Sequence, residues 1–231
     1  MTMNRSPVLG LLDSWSGGQG APALTWYGPA GERVELSERV LANWVTKAVN
    51  LLTDEADVAP GSTVGLDLPM HWRTLVWALA AWGCGATVVP SEEGASPAGV
   101  DVLVTADEAA AAPVVIAIAL PALARQVDQL PAGAVDGAAE LMAQPDVLIS
   151  PPDWDPGALA LGATRHAGLA EDLGVEVPSR ERVLVPASGL DQGLRTCLAI
   201  WSTGGSVVLV GDPDADLDRI GEQEGALPLP G

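Results

Sequence analysis

Histidine is the side chain that most readily moves a proton near neutral pH or ligates a metal, and this chain has two, His71 and His166. Their spacing assembles no metal set, and a site of both histidines with carboxylates such as Asp67 has no support in it. His71 falls in the turn after a strand, at the carboxyl end where open α/β sheets take ligands. The alternative for it is an ordinary, partly exposed turn residue. Ser188-Gly189, in PASGLDQG, invites thought of a nucleophile, but the G-x-S-x-G elbow is absent and no histidine stands beside it in sequence. Asp191 reads as a cap for the helix that follows.

His71 and Ser188 sit in two copies of one repeated element. Ser62–Pro90 recurs in outline as Glu181–Leu209, with Trp82 matching Trp201, Gly85 matching Gly204 and Val88-Val89 matching Val207-Val208 at a constant offset of 119 residues. Each copy reads as strand, turn, helix ending in Trp, glycine turn and second strand. A β-α-β unit present twice predicts a layered α/β domain built by duplication. Folds of that kind host many chemistries, so the class of fold leaves the function open.

The rest of the chain keeps the same alternation. Val8–Trp15 predicts a short amphipathic helix; Ala23–Tyr27 and Arg33–Leu36 predict a hairpin about the turn Gly28–Gly31. Ser37 caps a helix whose apolar face carries Val40, Trp44, Val45, Ala48, Leu51 and Leu52. Thr63–Leu68, Val100–Thr105 and Val114–Ala119 read as buried strands, Ala138–Met142 as helix, Val147–Ile149 and Ala158–Leu161 as short strands, His166–Leu173 as helix. One domain is expected over 1–211, with an acidic tail, 212–231, carrying one short helix before it frays.

Bulk composition narrows the partners. The hydrophobic share is 48% and the net charge −19. General disorder is excluded by the first number, and nucleic acid or an anionic membrane by the second, because no basic stripe offsets the repulsion. The simplest role of the acidity is solubility. Two cysteines in a chain of 231 residues suit a reducing compartment better than a disulfide framework. The apolar run at the N-terminus is too short for a signal peptide, and Pro113–Ala124 is too short to span a bilayer. A cytoplasmic protein is expected.

LTWYGPAGERVELSERVLANWVTKAVNLL, VAPGSTVGLDLP and LVWALAAWGCGATVVP, in that order, resemble the opening of the adenylate-forming enzymes, the superfamily of acyl-CoA synthetases, luciferases and peptide-synthetase adenylation domains. Pro60-Gly61-Ser62-Thr63-Val64 and Gly85-Ala86-Thr87-Val88-Val89-Pro90 stand where that family has P-G-D-x-V and G-A-x-x-V-P. The resemblance covers roughly Ala23–Gly211 and implies the N-terminal domain of such an enzyme, in the manner of short, stand-alone bacterial relatives. It also implies a Ser/Thr/Gly-rich phosphate loop ending in Pro-Lys-Gly between the two units. Here Gly162-Ala163-Thr164-Arg165 occupies that stretch, the loop looks deleted, and the only lysine of the chain, Lys47, lies elsewhere. Later family motifs, including the Mg-binding Glu and the catalytic lysine, have no counterpart up to Gly231.

The resemblance and its departures together imply a catalytically silent relative that binds a small acyl or nucleotide ligand or a protein. No cofactor and no catalytic residue is assigned. The candidate ligand-binding residues are His71, Ser188 and Asp191, with Thr164, Arg165 and His166 as the remnant of an anion site where the loop would be. Three alternatives stand beside it: an active ligase completed by a second polypeptide, a structural homodimer pairing through its Trp-bearing helices or an open strand edge, and an unrelated doubly wound binding domain.

Overall fold

Helix α1 (Pro7–Ser16) opens with proline at its first position, where no N–H is missed. Strands β1 (Pro22–Tyr27) and β2 (Arg33–Ser37) pair antiparallel across a turn in which Gly31 holds φ 79°. Ser37 then starts α2 (Glu38–Ala56): its Oγ accepts the Val40 N–H at 3.3 Å. Leu41, Val45, Ala48 and Leu52 on the apolar face of α2 are fully buried against α1 and α3, while Trp44 of that face is half-buried and Val40 exposed. The computed structural model describes residues 6–18, 20–92, 95–121, 124–169, 171 and 173–229.

The first copy of the repeat is β3 (Thr63–Asp67), α3 (Trp72–Gly83) and β4 (Thr87–Pro90). After it come β5 (Val102–Thr105), β6 (Val114–Ala117), β7 (Val135–Asp136), α4 (Ala139–Ala143), β8 (Leu159–Leu161) and β9 (Thr164–Arg165). The second copy is β10 (Arg182–Pro186), α5 (Leu190–Ser202) and β11 (Ser206–Val210); α6 (Leu217–Glu224) and β12 (Leu227–Pro228) close the chain. Among the described residues these strands make two sheets, in the orders β12-β10-β11-β1-β2 and β7-β6-β5-β3-β4-β8-β9. Only β1–β2 and β8–β9 pair antiparallel.

The duplication holds down to single hydrogen bonds. Gly85 N–H bonds Trp82 O and Gly204 N–H bonds Trp201 O; Ala86 N–H bonds Ala81 O and Gly205 N–H bonds Ile200 O; Thr87 N–H bonds Ser62 O and Ser206 N–H bonds Glu181 O. Gly85 and Gly204 sit at φ 78° and 79°, a left-handed turn that glycine makes without strain. The indole N–H of Trp82 donates to Ala160 O on β8, and that of Trp201 to Ala23 O on β1, both at 2.9 Å. In each case the acceptor belongs to the strand on the far side of the repeat's second strand, so one tryptophan ties each unit to its neighbour. The α/β class, with two related β-α-β units, is as the sequence predicts.

Helix α3 is apolar all round and buried on every side. Six of the eight tryptophans are buried, with Trp15 packed edge-on to Trp201 and Trp44 to Trp72. Helix α3 therefore offers no open face for pairing two copies. Cys84 and Cys197 are separate buried thiols, both with pKa pushed up by burial, Cys84 to about 12. No helix among the described residues is long and apolar enough to cross a membrane.

Local readings differ in several places. Val147–Ile149 is a loop: the buried Asn50 amide donates to Pro145 O and Val147 O and accepts from Ile149 N–H, leaving no edge free for a partner strand. In place of a helix over His166–Leu173 there is one 3-10 turn, His166–Gly168, where Gly168 weakens helix propagation; Ala170 and Asp172 lie outside the described residues. The acidic segment after Gly211 carries α6 and adds β12 to the edge of the first sheet beside β10. Glu224 fixes it there, with carboxylate oxygens 2.6 Å from Arg182, 3.0 Å from Arg33 and 2.5 Å from the Tyr27 hydroxyl.

Candidate functional site

The carboxyl ends of β3 and β10 point toward the same opening, because the repeat carries its turn to the same end of each sheet. Between them lies a cleft of about 780 Å³, lined by Asp67, Met70, Glu92, Asp107, Ser188 and Leu190 among others. Ser188 is exposed at its rim, in the turn before α5. The Ser188 hydroxyl reaches only Gly189 O, at 3.5 Å, and neither histidine lines the cleft, so no base is placed to activate it. Met70 fills the space over Gly193, where a Cβ would come within 2.7 Å of the thioether sulfur.

Among the described residues three carboxylates, Asp67, Glu92 and Asp107, face the cleft and no arginine or lysine does. An anionic group entering there meets their repulsion, offset only by the N-terminus of α5 at Gly189-Leu190. Among the described residues no three His, Cys, Asp or Glu side chains converge on a metal-sized site.

His71 is a buried N-cap, 4% exposed, where a partly exposed turn residue was the alternative expectation. Its Nδ1 accepts the Arg73 N–H at 3.1 Å, which fixes the neutral ring with its proton on Nε2. The ring packs edge-on to Trp26, centroids 4.6 Å apart, and tilted on Trp72. Burial first, then the Arg73 guanidinium, push its pKa down to about 4, against the opposing pull of Glu32. Arg73 itself is buried, stacked over Trp72 at 4.5 Å and Trp44 at 5.7 Å, with Nη2 bonded to Ala124 O at 3.0 Å. This aromatic-cation stack holds the first turn of α3.

The stretch expected to be the anion-site remnant is a tight hairpin. Gly162, at φ 55°, and Ala163 turn β8 into β9, and Thr164 comes directly after them. Arg195 of α5 straps it down. Its Nη1 donates to Thr164 Oγ1 at 3.0 Å, Nη2 to Leu161 O at 3.3 Å, and Nε pairs with Asp191 Oδ2 at 2.7 Å. Asp191 thus lies in the first turn of α5 as an i,i+4 partner, while the N-cap is Gly189. Arg165 is exposed and bonds Gly157 O. His166 is fully buried, with neither ring nitrogen hydrogen-bonded among the described residues. Burial pushes its pKa below the ordinary value, opposed by the nearby backbone of Gly85 and Ala86 and by Asp155.

Of the six candidate residues, then, the fold joins Thr164 and Asp191 through Arg195, sets Ser188 on the cleft, leaves Arg165 on the surface and seals both histidines in packing. Sequence reasoning missed Arg195. The i,i+4 spacing to Asp191 was visible, but its second grip, on a hairpin 31 residues away, was not.

No known family profile matches the chain. Among solved structures it is similar to an acyl-CoA synthetase of Brucella canis, with a TM-score of 0.73 at 19% identity, covering 96% of this chain and 46% of that one. It is also similar to the N-terminal subdomain of Klebsiella oxytoca NpsA in complex with 3-hydroxybenzoyl-AMSN, with a TM-score of 0.67 at 16% identity and coverage of 96% and 58%. A fatty acyl CoA synthetase of Mycobacterium tuberculosis matches with a TM-score of 0.63 at 15% identity, covering 95% and 48%. The chain spans about half the length of these structures, and the fold it shares with them is that of the N-terminal region of adenylate-forming enzymes. A protein of Mycobacterium tuberculosis described as a TIGR03089 family protein is 34% identical over 211 residues, 84% of each chain. With identity and coverage at that level, the chain belongs to the TIGR03089 family.

Proposed function

We propose that this chain is a non-catalytic binding module built on the scaffold of an adenylate-forming N-terminal domain. The observation that carries the reading is the β8–β9 hairpin: two residues, Gly162 and Ala163, stand between the strands, and the Arg195 fork is spent on Thr164, Leu161 and Asp191. Gripping a triphosphate takes a longer loop with several free N–H groups and a cation. The cleft between the ends of β3 and β10, lined by Asp67, Glu92 and Asp107, supports a small ligand that is neutral or cationic and without phosphate.

A thermal-shift screen tests this, because a ligand of the native state raises the unfolding midpoint by mass action. ATP, AMP, CoA and acyl-CoAs are expected to leave the midpoint unchanged, with any rise confined to phosphate-free compounds. A saturable rise with ATP, lost in Arg195→Met or in Gly162→Val, would overturn the reading.

A further inference from the structure

The first turn of α3 borders a small cavity of about 10 Å³, lined by Trp44, Trp72, Arg73, Trp77, Ala138 and Leu141 among others. That is room for about one water-sized particle. Trp72 is 2% exposed, and its indole Nε1 has no hydrogen-bond partner among the described residues. A buried N–H left without an acceptor costs free energy, and nearly all such groups in folded proteins are matched. The cavity in the same wall is where an acceptor for it can stand.

The other walls narrow what that acceptor is. Arg73 brings a guanidinium, 5% exposed and stacked over the Trp72 ring at 4.5 Å, so a positive charge borders the cavity. Burial works against that charge, and the pull of Glu32 works for it. Among the described residues no carboxylate lines the cavity. Asp136, beside it in sequence, is turned onto backbone: Oδ1 accepts the Ala138 and Ala139 N–H groups and Oδ2 that of Val127, all at 3.0 Å. Glu140 is exposed. A water in the cavity would satisfy the indole, but no lining side chain supplies an oxygen to take its own hydrogens, and buried waters make about three hydrogen bonds. A halide only accepts. It takes the indole N–H and the guanidinium's charge and has nothing left over.

We propose that this cavity binds one monovalent halide ion, chloride in ordinary salt, between the Trp72 indole N–H and the Arg73 guanidinium. Phosphate, sulfate and carboxylates are too large for it. The net charge of −19 disfavours anions over the surface at large, so a halide effect on this chain has few other sources. The proposal is independent of the reading of the cleft.

Unfolding midpoints of the whole chain in sodium chloride and in sodium gluconate, at matched ionic strength, test it. Matching removes general screening and leaves specific binding to the native state. At about ten times its dissociation constant chloride is expected to raise the midpoint by about 3–6 °C over gluconate, and bromide to act likewise. Trp72→Phe keeps a ring in the stack and loses the N–H, so it is expected to abolish the difference. Ala138→Val, which fills the cavity from the α4 side, is expected to do the same. Trp201→Phe, a substitution of the same kind outside the cavity, is expected to retain it. Equal wild-type midpoints in the two salts, as for a cavity holding water alone, or a chloride difference that survives either cavity variant, would overturn the proposal.

Discussion

His71 makes stability depend on pH in a way that can be worked out before measurement. Its neutral ring caps α3 through Nδ1 and packs between Trp26 and Trp72, and protonation would break the cap and place a cation beside Arg73. The folded pKa, about 4, lies below the ordinary 6.5, so the unfolded chain binds the proton more tightly. The stabilisation is therefore fully present above pH 6.5 and is lost as pH falls from there toward 4. The whole gap is worth roughly 3 kcal/mol, and about 2 kcal/mol of it is gone by pH 5. For a chain of this size that corresponds to about 4–8 °C in the unfolding midpoint. The carboxylates and His166 also titrate, so the readout is the difference between the wild type and His71→Asn, which retains an N-cap acceptor. Calorimetric midpoints between pH 7.5 and 5 should converge, the wild type losing its advantage on acidification. Parallel profiles for the two proteins would refute the reasoning.

Trp82→Phe and Trp201→Phe should each cost about 2–3 kcal/mol in chemical denaturation, since each leaves a buried carbonyl, Ala160 O or Ala23 O, unpaired and a small void behind. The two costs should match within about 1 kcal/mol, because the residues do the same job in the two repeats. Arg195→Met should speed amide hydrogen exchange in Leu161–Arg165 while leaving β3–β4 protected, as the hairpin loses its strap. Glu224→Gln should free α6 and β12 for limited proteolysis at a cost of about 2–4 kcal/mol. Burial raises the Glu224 pKa, but the bonds from Tyr27, Arg182 and Arg33 outweigh it and hold the carboxyl ionised.

The layered fold was legible because the repeat carries its own hydrogen-bonding logic: a tryptophan, a left-handed glycine three residues on, and two valines in the strand after it. Such local signals survive in a single sequence. Strands β7, β9 and β12, each two residues long, were not legible, since they exist only as partners of a neighbour and have no periodicity of their own. Val147–Ile149 shows the converse. Its β-branched residues read as a strand, and a single buried amide, Asn50, decides otherwise. The candidate site was partly legible. Ser188, noticed only as a possible nucleophile, lies on the cleft just past the end of β10. The burial of His71 depends on Trp26, which stands 45 positions away in the chain, and the three carboxylates of the cleft, Asp67 at the end of β3, Glu92 and Asp107, share no motif.

The central claim is that a duplicated β-α-β scaffold persists here with the triphosphate grip closed into a hairpin. Exchange of labelled pyrophosphate into ATP, with magnesium and a panel of carboxylic acids, tests it most directly. The account predicts exchange at the blank rate for every acid. Saturable exchange with any one of them, abolished by substitution in the Gly162–Arg165 hairpin, would contradict it.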